Sequence, residues 1–366
     1  MVKKFDLKNS DFIYLMNRAI DLALLADGDT SPNPLVGAVV VNSFGEIVGE
    51  GFHVRAGEKH AEVMALEQAG ASALGGSLFV TLEPCCHQGR TPPCTKAILR
   101  SGIKQVVVSM ADPDPRVSGK GIEELRQAGI KVNVGLLQKK ASKINSSFLF
   151  RVENKRPWGI MKWAMSFDGR IALPNGESKW ISGIPARSYV HNLRSKCDAV
   201  IVGGGTLRSD NPLLTSRGLA NPEPIRVVFS KSLDLPSDAQ LWDTTIARTI
   251  IAYKASENNE LLSRIPKGPE FLPLKVFEPR ELMNHLASIG CNKVLWECGP
   301  GLASKAVQQG CVQEIIGVIA PKLLGGKAAR TPLSELGIQS MQDVIKIDQR
   351  SLEQKGADWI FTMRLS

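Results

Sequence analysis

The chain has 366 residues, 43% of them hydrophobic and 22% charged, with a formal net charge of +9. This composition excludes a disordered or fibrous polymer, and the length favours two domains that each bury their own interior. The positive charge favours anionic ligands, but Lys and Arg are scattered without a run that reads as a nucleic-acid arm, so phosphorylated small molecules are expected instead of nucleic acid.

From residue 11 to 26 the apolar positions Phe12, Leu15, Met16, Ala19, Leu22, Ala23 and Ala26 follow helical spacing and predict an amphipathic helix. A buried strand over 35–41 is expected next, returned antiparallel over 46–49 after the turn-like Asn42-Ser43-Phe44-Gly45. Helices over 60–69, 94–100 and 121–128 alternate with strands over 77–82, 105–110 and 131–134, and a charged helical stretch runs to about residue 150. That alternation predicts a layered α/β domain.

The polar, proline-terminated Glu153-Asn154-Lys155-Arg156-Pro157 marks the boundary, dividing residues 1–150 from 151–366. Beyond it, strands over 158–164, 199–202, 225–229, 249–252 and 294–297 lie among helices over 185–196, 280–289 and 302–309, which predicts a second α/β domain. No apolar stretch of about eighteen residues exists, and residues 1–12 lack a signal peptide's apolar core, so the expectation is a cytoplasmic protein with no membrane partner.

Three of the seven cysteines fall within residues 85–94, a crowding that suits metal binding in a reducing compartment better than a disulfide framework. His60-Ala61-Glu62, then Glu83-Pro84-Cys85, then Cys94 supply one imidazole, two thiolates and a carboxylate. His60, Cys85 and Cys94 fit a tetrahedral zinc with its fourth position open to water, which zinc makes acidic enough to attack an amidine-like ring carbon. Glu62 is placed to carry protons to the departing ammonia. The H-x-E part of the zinc-deaminase signature is present, whereas the usual P-C-x-x-C is stretched by an eight-residue loop between the cysteines. A closed structural site, completed by Cys86 or His87, is the competing arrangement.

Thr81-Leu82-Glu83-Pro84-Cys85-Cys86-His87-Gln88-Gly89-Arg90-Thr91-Pro92-Pro93-Cys94 closely resembles the deaminase half of the bifunctional riboflavin-biosynthesis deaminase-reductase family. The likeness extends to Pro32-Asn33-Pro34-Leu35-Val36-Gly37, Gly51-Phe52-His53 and Asp112-Pro113-Asp114-Pro115. It implies a cytidine-deaminase-like three-layer domain in which Asn33, His53, His87, Arg90 and Asp112 line the pyrimidine pocket. Cys86 stands where the family more often has serine, and Asp114 where asparagine is common.

In the second half, Asp198-Ala199-Val200-Ile201-Val202-Gly203-Gly204-Gly205-Thr206 reads as a strand entering a glycine turn, and Glu297-Cys298-Gly299-Pro300-Gly301 repeats that arrangement before a helix. Backbone N–H groups at such a helix start suit phosphate. With Ser209 to Arg217 and Ala320 to Gly326, these segments resemble the reductase half of the same family, loosely so over residues 230–279. The resemblance implies a dihydrofolate-reductase-like domain using NADPH. It places Ser178, Arg194, Leu213, Arg217 and Glu297 on the ribosyl phosphate substrate, joined by Lys162 at its strand. It places Ala164, Trp180, Thr206, Asp210 and the segment Gly299, Pro300, Gly301, Leu302, Ala303, Ser304 and Lys305 on NADPH. The expected activity is zinc-dependent hydrolytic deamination of 2,5-diamino-6-ribosylamino-4(3H)-pyrimidinone 5′-phosphate followed by NADPH reduction of the ribosyl to a ribityl chain, in a homo-oligomer. The alternative is a nucleoside or tRNA deaminase with a non-catalytic rear half; the 87–93 loop, foreign to short-spaced nucleic-acid deaminases, weighs against it.

Overall fold

Within the computed structural model, residues 8–114, 118–255 and 259–365 are described, so Pro115 and the first seven residues lie outside the described residues. The chain divides into two units, Met1–Asn154 and Lys155–Ser366.

In the first unit the order is α1 (Asn9–Leu24), β1 (Gly37–Val41), β2 (Ile47–Phe52), α2 (Ala61–Ala69), β3 (Ser77–Leu82), α3 (Cys94–Ser101), β4 (Gln105–Met110), α4 (Lys120–Gln127), β5 (Lys131–Val134), α5 (Gln138–Ile144) and α6 (Ser146–Asn154). The sheet runs β2-β1-β3-β4-β5, antiparallel from β2 to β3 and parallel from β3 to β5. Asn42 makes the hairpin turn, its Oδ1 accepting from the backbone N–H of Phe44 and Glu46.

Every residue of β1 is buried, because helices cover both faces of the sheet. Ala61, Ala65 and Leu66 of α2, Ile98 of α3 and Leu125 of α4 pack on Val40, Val80 and Val108, while Leu15, Met16 and Ala19 of α1 pack on Val39, Val41 and Phe79. Burying one such leucine is worth about 1.5–3 kcal/mol. Helix α2 rides unusually close to β2. A Cβ on Gly49 would lie 2.0 Å from the Ala65 carbonyl oxygen, and one on Gly51 2.5 Å from that of Ala61. The expected single charged helix divides at Asn145, whose buried amide accepts from the Leu35 N–H and donates to the Leu35 carbonyl.

The second unit comprises β6 (Trp158–Ser166), α7 (Ile184–Ser195), β7 (Ala199–Gly203), α8 (Gly204–Asp210), β8 (Ile225–Phe229), β9 (Thr249–Lys254), β10 (Glu270–Leu274), α9 (Pro279–Ser288), β11 (Lys293–Trp296), α10 (Pro300–Gln308), β12 (Glu314–Ala320), β13 (Ile347–Lys355) and β14 (Asp358–Leu365). Its sheet runs β10-β9-β8-β7-β11-β6-β12-β14-β13, with β14 antiparallel to both neighbours and the other pairs parallel. Among the described residues, four strands and one helix go beyond the sequence expectation. Pro273 interrupts the pattern of edge strand β10, and Gly317 interrupts β12, where it faces its register partner Trp163. The Gly203 to Gly205 run is no simple tight turn, since Gly203 caps α8 and the next two glycines form its first residues. Among the described residues no helix is long and apolar enough to cross a membrane.

Candidate functional site

Two helix starts and one strand end deliver the candidate metal ligands of the first unit. His60 is the N-cap of α2, Cys94 is the first residue of α3, and Cys85 follows β3. His60 Nδ1 lies 3.2 Å from Cys94 Sγ and 3.5 Å from Cys85 Sγ, and the three donor atoms lie within 4.8 Å of one another. Tetrahedral bonds of about 2.0–2.1 Å to nitrogen and 2.3 Å to sulfur require N···S separations of roughly 3.5 Å, so the donor set fits zinc. Hydrogen bonds from Cys94 and His60 to Cys85 pull its thiol well below the ordinary value, making it the readier thiolate.

With Nδ1 turned toward two sulfurs, the ring proton of His60 belongs on Nε2, where Thr91 Oγ1 sits 3.2 Å away to accept it. Glu62, in the first turn of α2, is only 3% exposed, and burial pushes its carboxyl up to about 7 against the pull of His60. His53 is also buried and kept neutral by it. Its Nδ1 faces the Lys59 carbonyl at 3.1 Å and so carries the proton, leaving Nε2 to accept from the Asn33 amide at 3.0 Å. The His53 and His60 rings meet edge to face at 5.2 Å. His87 and Arg90 are exposed on the loop between the cysteines. Asp112 is half-buried in a loop clamped by Glu83, whose buried carboxylate accepts from the backbone N–H groups of Asp112, Gly119, Gly121 and Ile122.

In the second unit, charged side chains from β6, α7 and the end of β11 meet. Arg194 grips Glu297 bidentately, Nε to Oε1 at 2.6 Å and Nη2 to Oε2 at 3.1 Å, and Lys162 Nζ stands 3.9 Å from Oε2. Burial would raise the Glu297 carboxyl, but Arg194 and then Lys162 overcome it and hold the group down at about 2. The resemblance places Arg194 on the ribosyl phosphate substrate, but here its fork is committed to Glu297 and its Nη1 to the Thr215 carbonyl. Arg217 is exposed, with φ of 60°, and its flanking N–H groups on Ser216 and Gly218 both donate to Glu223. Ser178 and Leu213 are half-buried.

The two glycine turns converge: a Cβ on Gly203 would touch Leu302, and one on Gly299 would come within 4.0 Å of Thr206 Oγ1. The starts of α8 and α10 therefore present backbone N–H groups side by side. Ala303 and Ser304 depart from the expected cofactor loop, since both are buried and Ser304 Oγ donates to the Ser334 carbonyl. Their place on inner turns of α10 leaves Gly299 to Leu302, with exposed Lys305, as the accessible part. Trp180 is 62% exposed beneath the Arg187 guanidinium, Ala164 and Asp210 are half-buried, and Lys179 Nζ donates to the Asp210 carbonyl.

Residues 157–361 match the family described as RibD C-terminal domain, and residues 9–110 match the cytidine and deoxycytidylate deaminase zinc-binding region. The riboflavin biosynthesis protein RibD of Synechocystis is 49% identical over 348 residues, covering 95% of this chain and 94% of the relative. The chain belongs to the RibD family. Acinetobacter baumannii RibD superposes with a TM-score of 0.89 at 35% identity, over 98% of this chain and 100% of that one. A diaminohydroxyphosphoribosylaminopyrimidine deaminase/5-amino-6-(5-phosphoribosylamino)uracil reductase from Thermotoga maritima superposes at 0.86 and 34%, over 98% and 99%. As in other RibD chains, a cytidine-deaminase-like unit precedes a dihydrofolate-reductase-like one. Three residues escaped the sequence reading: Thr91 behind His60 and Glu83 behind Asp112 in the first unit, and His191 between the two arginines in the second. His191 carries one available signal, its position one helical turn before Arg194.

Proposed function

We propose that this chain deaminates a phosphorylated diaminopyrimidine hydrolytically and then reduces the ribosyl chain of the product, the two activities named for its RibD relatives. The observation that carries the reading is the joining of a His60, Cys85, Cys94 donor set and buried Glu62 to a reductase unit that matches the family across residues 157–361. When bound, zinc makes water acidic enough to attack near neutral pH, and NADPH supplies the hydride.

This chain's own residues do the rest. Glu62, with its carboxyl near neutrality, takes a proton from the attacking water and returns it to the leaving amine, which departs as ammonia. Asn33, oriented by His53, holds the ring edge, while His87, Arg90 and Asp112 reach the rest of the substrate from their loops. In the second unit Lys162 and Glu297 hold the opened ribosyl carbon and its oxygens, Ser178, Leu213 and Arg217 hold the phosphorylated end, and Arg194 fixes Glu297. Ala164, Trp180, Thr206, Asp210 and the Gly299 to Leu302 turn seat NADPH.

The alternative of a nucleoside or tRNA deaminase with an inert rear half does not suit relatives that match over both halves. The reading includes a cytoplasmic enzyme, supported by seven free cysteines, that assembles with copies of itself through the reductase unit, where edge strand β13 exposes Ile347 and Leu352. Zinc-loaded protein given the diaminopyrimidine substrate and NADPH should release ammonia and consume NADPH. Glu62→Gln should abolish the ammonia while still oxidising NADPH with pre-deaminated substrate. Wild-type protein doing neither would overturn the assignment.

A further inference from the structure

His191 lies on α7 with an arginine at each ring nitrogen. Arg217 Nε donates to His191 Nε2 at 3.0 Å, while Nδ1 stands 3.4 Å from Arg194 Nη1. Two guanidinium donors cannot both be satisfied by one imidazole nitrogen pair that also carries a proton. An arginine Nε can only donate, so Nε2 must be the ring's acceptor, while the Arg194 Nη1 donor is taken by the Thr215 carbonyl at 3.0 Å. The proton thus belongs on Nδ1, and Nε2 is left as the acceptor that orients Arg217.

Arg217 depends on that acceptor. Its backbone is pinned in the left-handed region by Glu223, which accepts from the N–H groups on either side at 2.6 and 2.8 Å, but this fixes the main chain and not the guanidinium. Held at Nε by His191, the planar fork keeps its two terminal nitrogens for an incoming anion.

We propose that His191 is a positioning residue for the substrate phosphate, its neutral ring setting the Arg217 guanidinium and releasing it when protonated. This rests on the reading of Arg217 as a phosphate contact given above. An imidazolium has two donors and no acceptor, so the Arg217 bond cannot survive the second proton. The charged groups facing the ring are Arg194 from its own helix, Arg217 from the loop before β8, and Glu297 from the end of β11. Glu297 is already committed to Arg194 and Lys162, and Glu223 to backbone N–H groups. Burial, followed by the two guanidiniums, accordingly holds the ring's protonation below the ordinary histidine range.

The test is NADPH oxidation by the full zinc-loaded chain with 5-amino-6-(5-phosphoribosylamino)uracil, read as separate KM and kcat between about pH 5.5 and 8, which brackets the ordinary imidazole value. His191→Ala is expected to raise KM about tenfold, the loss of one hydrogen bond to a charged group, with a smaller change in kcat. His191→Gln offers an amide oxygen to Arg217 Nε and is expected to keep the wild-type KM at the alkaline end. It should lack the extra rise in KM that wild type shows toward acid. The substrate phosphate titrates in the same range, but equally for both proteins, so the difference between the two profiles belongs to the imidazole. The double variant His191→Ala/Arg217→Ala should be no worse than Arg217→Ala.

Parallel wild-type and Gln profiles, additive effects in the double variant, or a wild-type KM that falls with acid would each overturn the proposal. If Arg217→Ala itself leaves KM unchanged, the phosphate reading fails instead. NADPH oxidation at saturating substrate by the same preparations reports that the reductase unit is folded. Should His191→Ala fail that check, the Gln profile decides alone.

Discussion

Replacing Thr91 by Val keeps the side chain's branching and removes only the hydroxyl that receives the His60 Nε2 proton at 3.2 Å. Without that acceptor the imidazole loses the contact that presents Nδ1 to the metal, and the N–H is left half-buried and unpaired. Partners of this kind behind a ligating histidine are worth about 10- to 100-fold in metal affinity, roughly 1.4–2.8 kcal/mol. Chelator competition with metal-free protein should therefore show a zinc affinity reduced by one to two decades for Thr91→Val and largely restored for Thr91→Ser. NADPH oxidation with pre-deaminated substrate serves as the control and should not move. Zinc binding by Thr91→Val within twofold of wild type, or a serine variant no better than valine, would refute the assignment of the His60 ring orientation.

Glu297→Gln should cost about 3 kcal/mol in urea unfolding, because Arg194 and Lys162 remain largely buried without their carboxylate. The folded carboxyl titrates at about 2, below its ordinary 4.5. Its contribution is therefore complete above the ordinary value and is lost as pH falls from about 4.5 toward 2, so wild type should lose more stability than Glu297→Gln between neutral pH and pH 3. In Gly51→Ala the new methyl meets the Ala61 carbonyl and lifts the start of α2, which should weaken zinc binding and ammonia release together while NADPH oxidation persists. Stripping zinc with a chelator should likewise end ammonia release alone, and adding zinc back should restore it.

The zinc ligands were legible because the chemistry is written in near neighbours: His60 and Glu62 two apart, and two cysteines flanking one loop. The reductase cluster was legible only through resemblance, since Lys162, Arg194 and Glu297 come from three separate elements and share no local pattern. Where periodicity was weak, strands were missed: β13 is largely polar along its length, and β10 carries a proline. Arg226 shows a different limit. It lies inside the apolar run of β8, yet it is fully buried, donating to the carbonyls of Leu241, Asp243 and Ala247 and to Thr249 Oγ1. Nothing in its sequence neighbours shows that a loop folds over it to supply those acceptors. The commitment of Arg194 to Glu297 was illegible for the same reason, because a charge's partner is chosen by topology and not by spacing.

The seating of α2 on Gly49 and Gly51 fixes the depth of that helix by contact between main chains, with no rotamer able to adjust it. His60 and Glu62 therefore move as one piece, and substitutions elsewhere in the core shift the surrounding loops before they shift these two. The substrate contacts proposed above lie elsewhere, on the stretch between Cys85 and Cys94 and on the Glu83-clamped loop. A lineage built this way can change which amine it hydrolyses long before it loses the ability to hydrolyse one.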